Sequence, residues 1–487
     1  MKKNLNNKLF FTTRKFFFIS LIIFCTSKTF EGKPLFADSN PKAISSELLL
    51  KFSQIDSLIL NNDELKTLEK LIEEAKYKLK ATIAERYPTL DLVASGLTRY
   101  VSGKKYTPSF NTESSQWSNS PSLVLNWELI DPGRAPSISS ARNLLSIAQN
   151  NYEIKRRDLV LLGRQKFLDF QRSKNEVVNA KESLSTSKKN LSDTEARLES
   201  GLGNKLEVLE AKSQYLRDLQ FLNRKIKERK VSKNGLLNIL NINKNLFTEN
   251  KNTLLGFWNQ NLEKSFDAAV NYQLSLKNII ENKAFNFNQS KIASASNRPN
   301  LVLSNTLTYT YNKGELNRIA VDKDYYDSSY DNTISLNLNW RLFDGGQSKN
   351  LKLASIKVAE SEEINYENAI KDLRKNLDDL FNELTLSQSS LTFTLNEANS
   401  TKEQLEISKL RYNSGLTSQR EVINSQREAT SAITKYNQTI YEYNVILDRL
   451  RRITGLDFEK NCNQDLNPHI PEEDEISERF CETNFKF

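Results

Sequence analysis

The sequence predicts a mostly α-helical chain with membrane β: two long coiled-coil hairpins, each preceded by a pair of strands. Three observations predict it. Motifs recur in the same order about 213 residues apart, prolines and glycines leave two very long stretches unbroken, and the apolar period switches between helical and alternating.

The recurrence is specific. Trp127-Glu128-Leu129-Ile130-Asp131-Pro132-Gly133 returns as Trp340-Arg341-Leu342-Phe343-Asp344-Gly345-Gly346, and Arg197-Leu198-Glu199-Ser200-Gly201-Leu202 returns as Arg411-Tyr412-Asn413-Ser414-Gly415-Leu416. Upstream, Tyr87-Pro88-Thr89-Leu90 is echoed by Arg298-Pro299-Asn300-Leu301. Offsets of 211, 213 and 214 leave little room for insertion. A duplicated unit is expected, with a first repeat over 38–245 and a second over 246–456.

Residues 1–37 have the layout of a secretory signal: a basic stretch (Lys2, Lys3, Lys8, Arg14, Lys15), a short apolar run from Phe16 to Cys25, and a cleavage site at Leu35-Phe36-Ala37. The run is too short for a membrane helix. Phe24 stands before Cys25 where a lipoprotein would carry a small residue. The formal charge of +9 belongs mostly to this segment. It holds seven Lys or Arg and one Glu, so its removal leaves 62 basic against 59 acidic residues. A near-neutral mature chain argues against a nucleic-acid partner.

Ser45 to Arg86 is helical in pattern, and Pro88 stops it. The period then becomes two. Leu90 to Tyr100 and Leu123 to Ile130 alternate, with Leu123, Leu125, Trp127 and Leu129 on one face. In the second copy Leu301, Leu303, Leu307, Tyr309 and Tyr311 alternate with polar residues, as do Ile334, Leu336, Leu338, Trp340 and Leu342. Strands of about ten residues, apolar on one side and polar on the other, are the pattern of a membrane barrel. The long polar segments Val101 to Ser120 and Asn312 to Asn332 are expected to be loops, and Trp127, Tyr309, Tyr311, Trp340 and Phe343 to form an interfacial girdle. Four strands cannot close a barrel, and an open edge is not tolerated in lipid, so several chains are required; three would supply twelve strands.

Ser137 to Ser200 and Gln347 to Ser414 follow as long helices of ~100 Å at ~1.5 Å per residue. Val177, Leu184, Leu191 and Leu198 keep a seven-residue spacing, matched by Leu391, Ala398, Leu405 and Tyr412. Such spacing predicts a coiled-coil seam. Each helix turns at Ser-Gly-Leu and returns through Leu206 to Leu240 or Val422 to Ile453. The return legs are half as long, so Ser45 to Arg86 and Leu262 to Asn297 are expected to stack end to end with them.

No phosphate loop, zinc spacing or nucleophile elbow is present, and His469 is the single histidine. No cofactor and no catalysis are expected. Beyond Leu456, residues 457–487 form an acidic tail with Glu472-Glu473-Asp474-Glu475. Cys462 and Cys481 lie in it, as a possible disulfide or as two unpaired thiols.

These motifs, twice and in order, resemble the TolC-like outer-membrane efflux protein family over Ser45 to Leu456. The resemblance implies a homotrimer with a shared twelve-stranded outer-membrane barrel continuing into a periplasmic helical tunnel. It also implies partnership with a periplasmic adaptor and an inner-membrane pump, in tripartite efflux or type I secretion of small molecules or proteins. Lumen-facing acids near the tips correspond to Glu207 and Glu421, and a gate-closing tyrosine to Tyr412. The usual basic partner is replaced by Thr417, which leaves Arg420 or Arg411 to stand in. Arg197 and Arg411 are expected to brace the turns at helix-end carbonyls. Gly201, Leu202, Gly415 and Leu416 form the tips, where exposed leucines would meet the adaptor. The alternative is a non-transporting, envelope-spanning coiled-coil scaffold, separated from a duct only by the lack of a through-going lumen.

Overall fold

The computed structural model of this chain describes residues 48–106, 111–242, 246–248, 254–316 and 326–459. All of them belong to one compact unit, Glu47–Phe487. The expected signal peptide, Cys462 and Cys481, and all but the first three residues of the acidic tail lie outside the described residues.

In chain order, β1 (Leu48–Leu50), α1 (Ile55–Leu58) and α2 (Asp63–Ala84) lead into β2 (Thr89–Tyr106) and β3 (Asn111–Ile130). Helices α3 (Arg134–Glu199) and α4 (Lys205–Leu240) form the first hairpin. The second half runs through β4 (Leu246–Thr248), α5 (Leu262–Tyr272), α6 (Leu274–Ala295), β5 (Asn300–Leu316) and β6 (Tyr326–Asn339), and ends in the hairpin α7 (Gln347–Asn413) and α8 (Gln419–Thr454). Pro136 falls in the first turn of α3, where its missing N–H costs nothing.

Four strands form one antiparallel sheet in the order β2-β3-β5-β6, so the two halves meet at β3 and β5 and leave β2 and β6 as edges. Register places Leu92 opposite Leu123 and Leu123 opposite Leu307; it places Trp127 opposite Leu303 and Leu303 opposite Leu336. One face is therefore an apolar belt. The other carries hydroxyls and amides that bond across strands: Ser122 with Thr308 at 3.0 Å, Ser304 with Ser335 at 2.7 Å, and Asn337 donating to Ser304 at 3.0 Å.

The Trp and Asp of the repeated motif join helix to sheet. The Trp127 indole donates to the carbonyl of Arg86, just past α2, at 2.9 Å; the Trp340 indole donates to the carbonyl of Asn297, just past α6, at 3.2 Å. Asp131 accepts from the Gly133 N–H at 2.8 Å and Asp344 from the Gly346 N–H at 2.9 Å, turning the chain into the next helix. The indoles thus serve the joint as well as the belt.

Below the sheet, α3 packs on both α4 and α8, α7 packs on α8, and α2 and α6 lie along α3 and α7. The largest core joins α7 and α8 to α5 and α6 through Leu377, Leu447, Leu450 and Tyr443. A second core gathers Leu50, Ile55, Ile59 and Leu65 against α3 and α4.

Four expectations need correction. First, Ser45 to Arg86 is not one helix: β1 pairs in parallel with β4, short turns follow, and the regular helix begins at Asp63. Tertiary packing overrides local propensity there. Gly163 of α3 has no Cβ, and Ile55 and Ile59 approach within 3.0 Å of where one would be. Second, Leu262 to Asn297 breaks at Gln273, which is extended (φ −73, ψ 110) and donates to the carbonyl of Ile453 at 3.0 Å.

Third, the strands are 14 to 20 residues long, so most of Val101 to Ser120 and the ends of Asn312 to Asn332 are strand. Backbone pairing continues wherever a partner strand continues, whatever the side chains. Fourth, of the seam expected on α3 Val177 is buried, but Leu184 and Leu191 are half-buried and Leu198 is exposed; a buried stripe runs instead through Ser173, Ala180, Ser187 and Thr194. A helix held between two neighbours needs small residues for close approach, and Ser173 bonds Ser232 of α4 at 2.8 Å. The second seam is buried as expected at Leu391, Ala398, Leu405 and Tyr412.

Candidate functional site

The site is built where the hairpins turn. Both α3 and α7 end in a glycine with φ of 74, Gly201 and Gly415. The Leu202 N–H donates to the Arg197 carbonyl at 2.9 Å and the Gly201 N–H to the Leu198 carbonyl at 3.1 Å. The Leu416 and Gly415 N–H groups repeat this on the carbonyls of Arg411 and Tyr412, at 2.8 and 3.0 Å. A left-handed residue with this pair of bonds caps the helix and reverses the chain. It is the backbone carbonyls of Arg197 and Arg411 that close the turns. Leu202 and Leu416 stand exposed at the tips.

Each return helix then starts with an acid in its first turn. Asn204 caps α4 by accepting from the Glu207 N–H at 3.0 Å, and Glu421 takes the matching place in α8 after Ser418. The helix dipole favours negative charge at both.

The two hairpins meet at Tyr412. Its side chain is 6 % exposed and packs with Leu405, Val422 and Ala429. Its hydroxyl crosses to α4 and donates to Glu207 Oε2 at 3.2 Å. From α3, the Arg197 guanidinium lies 4.8 Å from the centre of the ring. Burial first, and then the charge of Glu207, pushes the phenol up to about 12, so at neutral pH it is a fixed donor.

Arg420 makes the second crossing, to Glu210 of α4, with Nη2 at 2.5 Å and Nε at 3.1 Å. Of the two arginines considered for the basic role, Arg420 is the one that spans the hairpins. Arg411 is exposed and makes no ion pair among the described residues. Glu421 is also exposed, and Leu198 occupies in the first hairpin the place of Tyr412 in the second. The tyrosine–carboxylate contact is therefore made once per chain.

Sequence reasoning missed the ring contact of Arg197, the role of Glu210, and a buried polar layer farther along. In that layer Gln426 of α8 donates to Asp218 Oδ2 at 2.8 Å and to the Ser183 carbonyl at 2.9 Å, while Gln214 donates to Asp218 Oδ1 at 2.8 Å. Burial pushes the Asp218 carboxyl up, against the Ser187 and Ser183 hydroxyls that stabilise its charge. Ala211, Gln214 and Asp218 at helical spacing carried the signal: polar residues where an apolar seam would run. Among the described residues no group of His, Cys, Asp or Glu is placed to hold a metal.

A model of the outer membrane efflux protein family matches residues 54–241 and 283–456. No curated protein matches the chain. Among solved structures, it is similar to CusC, a channel-forming protein, with 15% identity over 84% of this chain and 92% of that one and a TM-score of 0.69. It is similar to the outer membrane protein VceC of Vibrio cholerae, with 14% identity over 84% and 97% of the chains and a TM-score of 0.67. The CmeC outer membrane channel of Campylobacter jejuni gives 16% identity, 85% and 87% coverage, and a TM-score of 0.61. At these identities the likeness is one of fold. With the family model covering most of the sequence, the chain belongs to the outer membrane efflux protein family.

Proposed function

We propose that three copies of this chain form a duct through the outer membrane, a twelve-stranded barrel continued by a periplasmic helical tunnel. One observation carries this reading: a four-stranded sheet with an apolar belt and two unpaired edges, β2 and β6. Unpaired backbone costs several kcal/mol per group in lipid, so the edges must pair with other copies. The belt has the right height. Trp117 and Trp127 of β3 are ten residues apart, about 33 Å along the strand, or ~25 Å across a bilayer once tilted by ~40°. The hydroxyl and amide face then lines a wet lumen.

The helices support the same closure. Leu386, Phe393 and Ile407 of α7 keep multiples of seven and are 70, 66 and 50 % exposed. Leu209 and Leu216 of α4, also seven apart, are 54 and 53 % exposed. Exposed apolar residues at heptad spacing on both α7 and α4 fit a neighbouring copy. In this arrangement each protomer contributes two copies of a duplicated unit, 38–245 and 246–456, after removal of a signal peptide, 1–37. Tyr412–Glu207 and Arg420–Glu210 hold the tips together, and Leu202 and Leu416 face a periplasmic adaptor. The duct is passive, and an inner-membrane pump supplies the energy for export of small molecules or proteins.

The test is oligomeric state together with conductance. Purified protein should run as a trimer and conduct in planar bilayers, and Leu386→Glu with Phe393→Glu should yield monomers. A monomeric wild type, or a trimer without current even after Glu207→Ala and Glu421→Ala, would end the duct reading.

A further inference from the structure

We propose that the cavity between α1, α3, the end of α5 and α8 is a binding site for a small oxyanion of the sulfate or phosphate size. Its volume is about 160 Å³, far beyond the ~10–15 Å³ that one water needs. Arg156, Arg157 and Arg164 of α3 and Arg451 and Arg452 of α8 all line it, against two lining carboxylates, Asp56 and Asp448. Arg156 and Arg164 lie 22 to 30 residues into α3, about 33–45 Å along the helix from the sheet, beyond the reach of lipid headgroups.

The guanidiniums are braced by carboxylates that do not line the cavity, and each keeps unused N–H donors. Glu153 holds Arg156 through Nε and Nη2 and holds Arg157 through Nε, while Arg157 Nη1 donates to the Tyr272 carbonyl at 3.0 Å. Asp158 holds Arg452, and Asp457 meets Arg451 at Nε. Each guanidinium has five N–H donors, so every one of these four has N–H groups left over. Planar forks preset in this way suit an oxyanion better than lysines would.

A second observation points the same way. Asp448 is 2 % exposed and lines the cavity. Its Oδ1 accepts from Arg164 Nη1 at 3.2 Å, but its Oδ2 is buried with no partner. Arg164 turns Nε and Nη2 toward Asp56, at 3.0 and 2.7 Å, and does not reach Oδ2. A buried carboxylate oxygen without a donor is costly; a protonated one that donates to a bound oxyanion is not.

The groups facing Asp448 favour that exchange. Burial pushes its carboxyl up to about 6, with Asp56 of α1 adding to the rise. Arg164 of α3 and Arg451 of its own helix oppose it. Arg452 and the Tyr272 ring of α5 complete the surroundings, and the ring is covered by Arg157 at 3.8 Å. With Glu153, Asp158 and Asp457 counted, five arginines face five carboxylates, so protonation of Asp448 gives the cluster one net positive charge and one additional donor. Oxyanion affinity should therefore rise as pH falls through the range where Asp448 titrates.

Sulfate is the probe, because it stays dianionic across that range. Titration calorimetry on the full chain in detergent, with sodium chloride at matched ionic strength as control, should show saturable binding at least tenfold tighter at pH 5.5 than at pH 7.5. Arg156→Gln with Arg451→Gln should weaken it at least tenfold, and Arg451→Lys, which keeps the charge but not the fork, should fall between. Asp448→Asn should remove the pH dependence. No saturable binding above chloride, equal binding by wild type and the double variant, or an unchanged pH dependence in Asp448→Asn would each overturn the proposal. These readouts need no conductance, so they stand or fall apart from the duct.

Discussion

Replacing Tyr412 with Phe removes one atom from the contact between the hairpins and leaves the rest in place. The ring still fills the pocket of Leu405, Val422 and Ala429 and still lies beneath Arg197. Only the hydrogen bond to Glu207, at 3.2 Å, is lost. Bonds to charged acceptors contribute ~1.5–3 kcal/mol, but this one is long and Glu207 is half-exposed, so about 1 kcal/mol is the better figure. That shifts the closed-to-open balance of one tip roughly fivefold. If the three tips of the proposed trimer open together, the shift is about 3 kcal/mol, or on the order of 150-fold. Single-channel recording in planar bilayers measures it as the open fraction, and antibiotic leakage into cells reports the same quantity. The melting temperature should hardly move, which separates gating from unfolding. An open fraction equal to wild type, in a variant that melts normally, would refute the reasoning.

Two further outcomes are expected. Asp448 is shifted upward, from 3.8 to about 6, so its contribution to stability is fully present below about 3.8 and is lost as pH rises through about 6; the shift corresponds to about 3 kcal/mol. The melting temperature of Asp448→Asn relative to wild type should therefore climb between pH 4.5 and 7.5, and a difference independent of pH would contradict the assignment. At the tips, Gly201→Ala and Gly415→Ala each force a side chain into the left-handed region with nothing within 4 Å to clash, so each should cost about 1 kcal/mol in denaturant unfolding, from backbone strain alone.

Much was legible because it is local. Long helices follow from the proline spacing, the turns from Ser-Gly-Leu, and the belt from the alternation of Leu301 to Tyr311. The second seam was read correctly because α7 keeps apolar residues every seven positions. Beyond Val177 the first seam was misread because α3 lies between two helices, and its buried stripe is chosen by close approach rather than by greasiness. The strand lengths escaped because pairing partners, not side-chain pattern, decide where a strand stops.

The amino-acid order determined, by itself, that the chain is built of long helices and alternating strands, where the hairpins reverse, and which face of each strand is apolar. These depend on period and on single residues such as Gly415. Only the tertiary structure decided which distant groups meet: Tyr412 with Glu207, Arg420 with Glu210 rather than with Glu421, and Arg164 between Asp56 and Asp448. These pairs lie from 108 to 284 residues apart in the chain. They exist because three or four helices pack at one level, a geometry that no local pattern encodes.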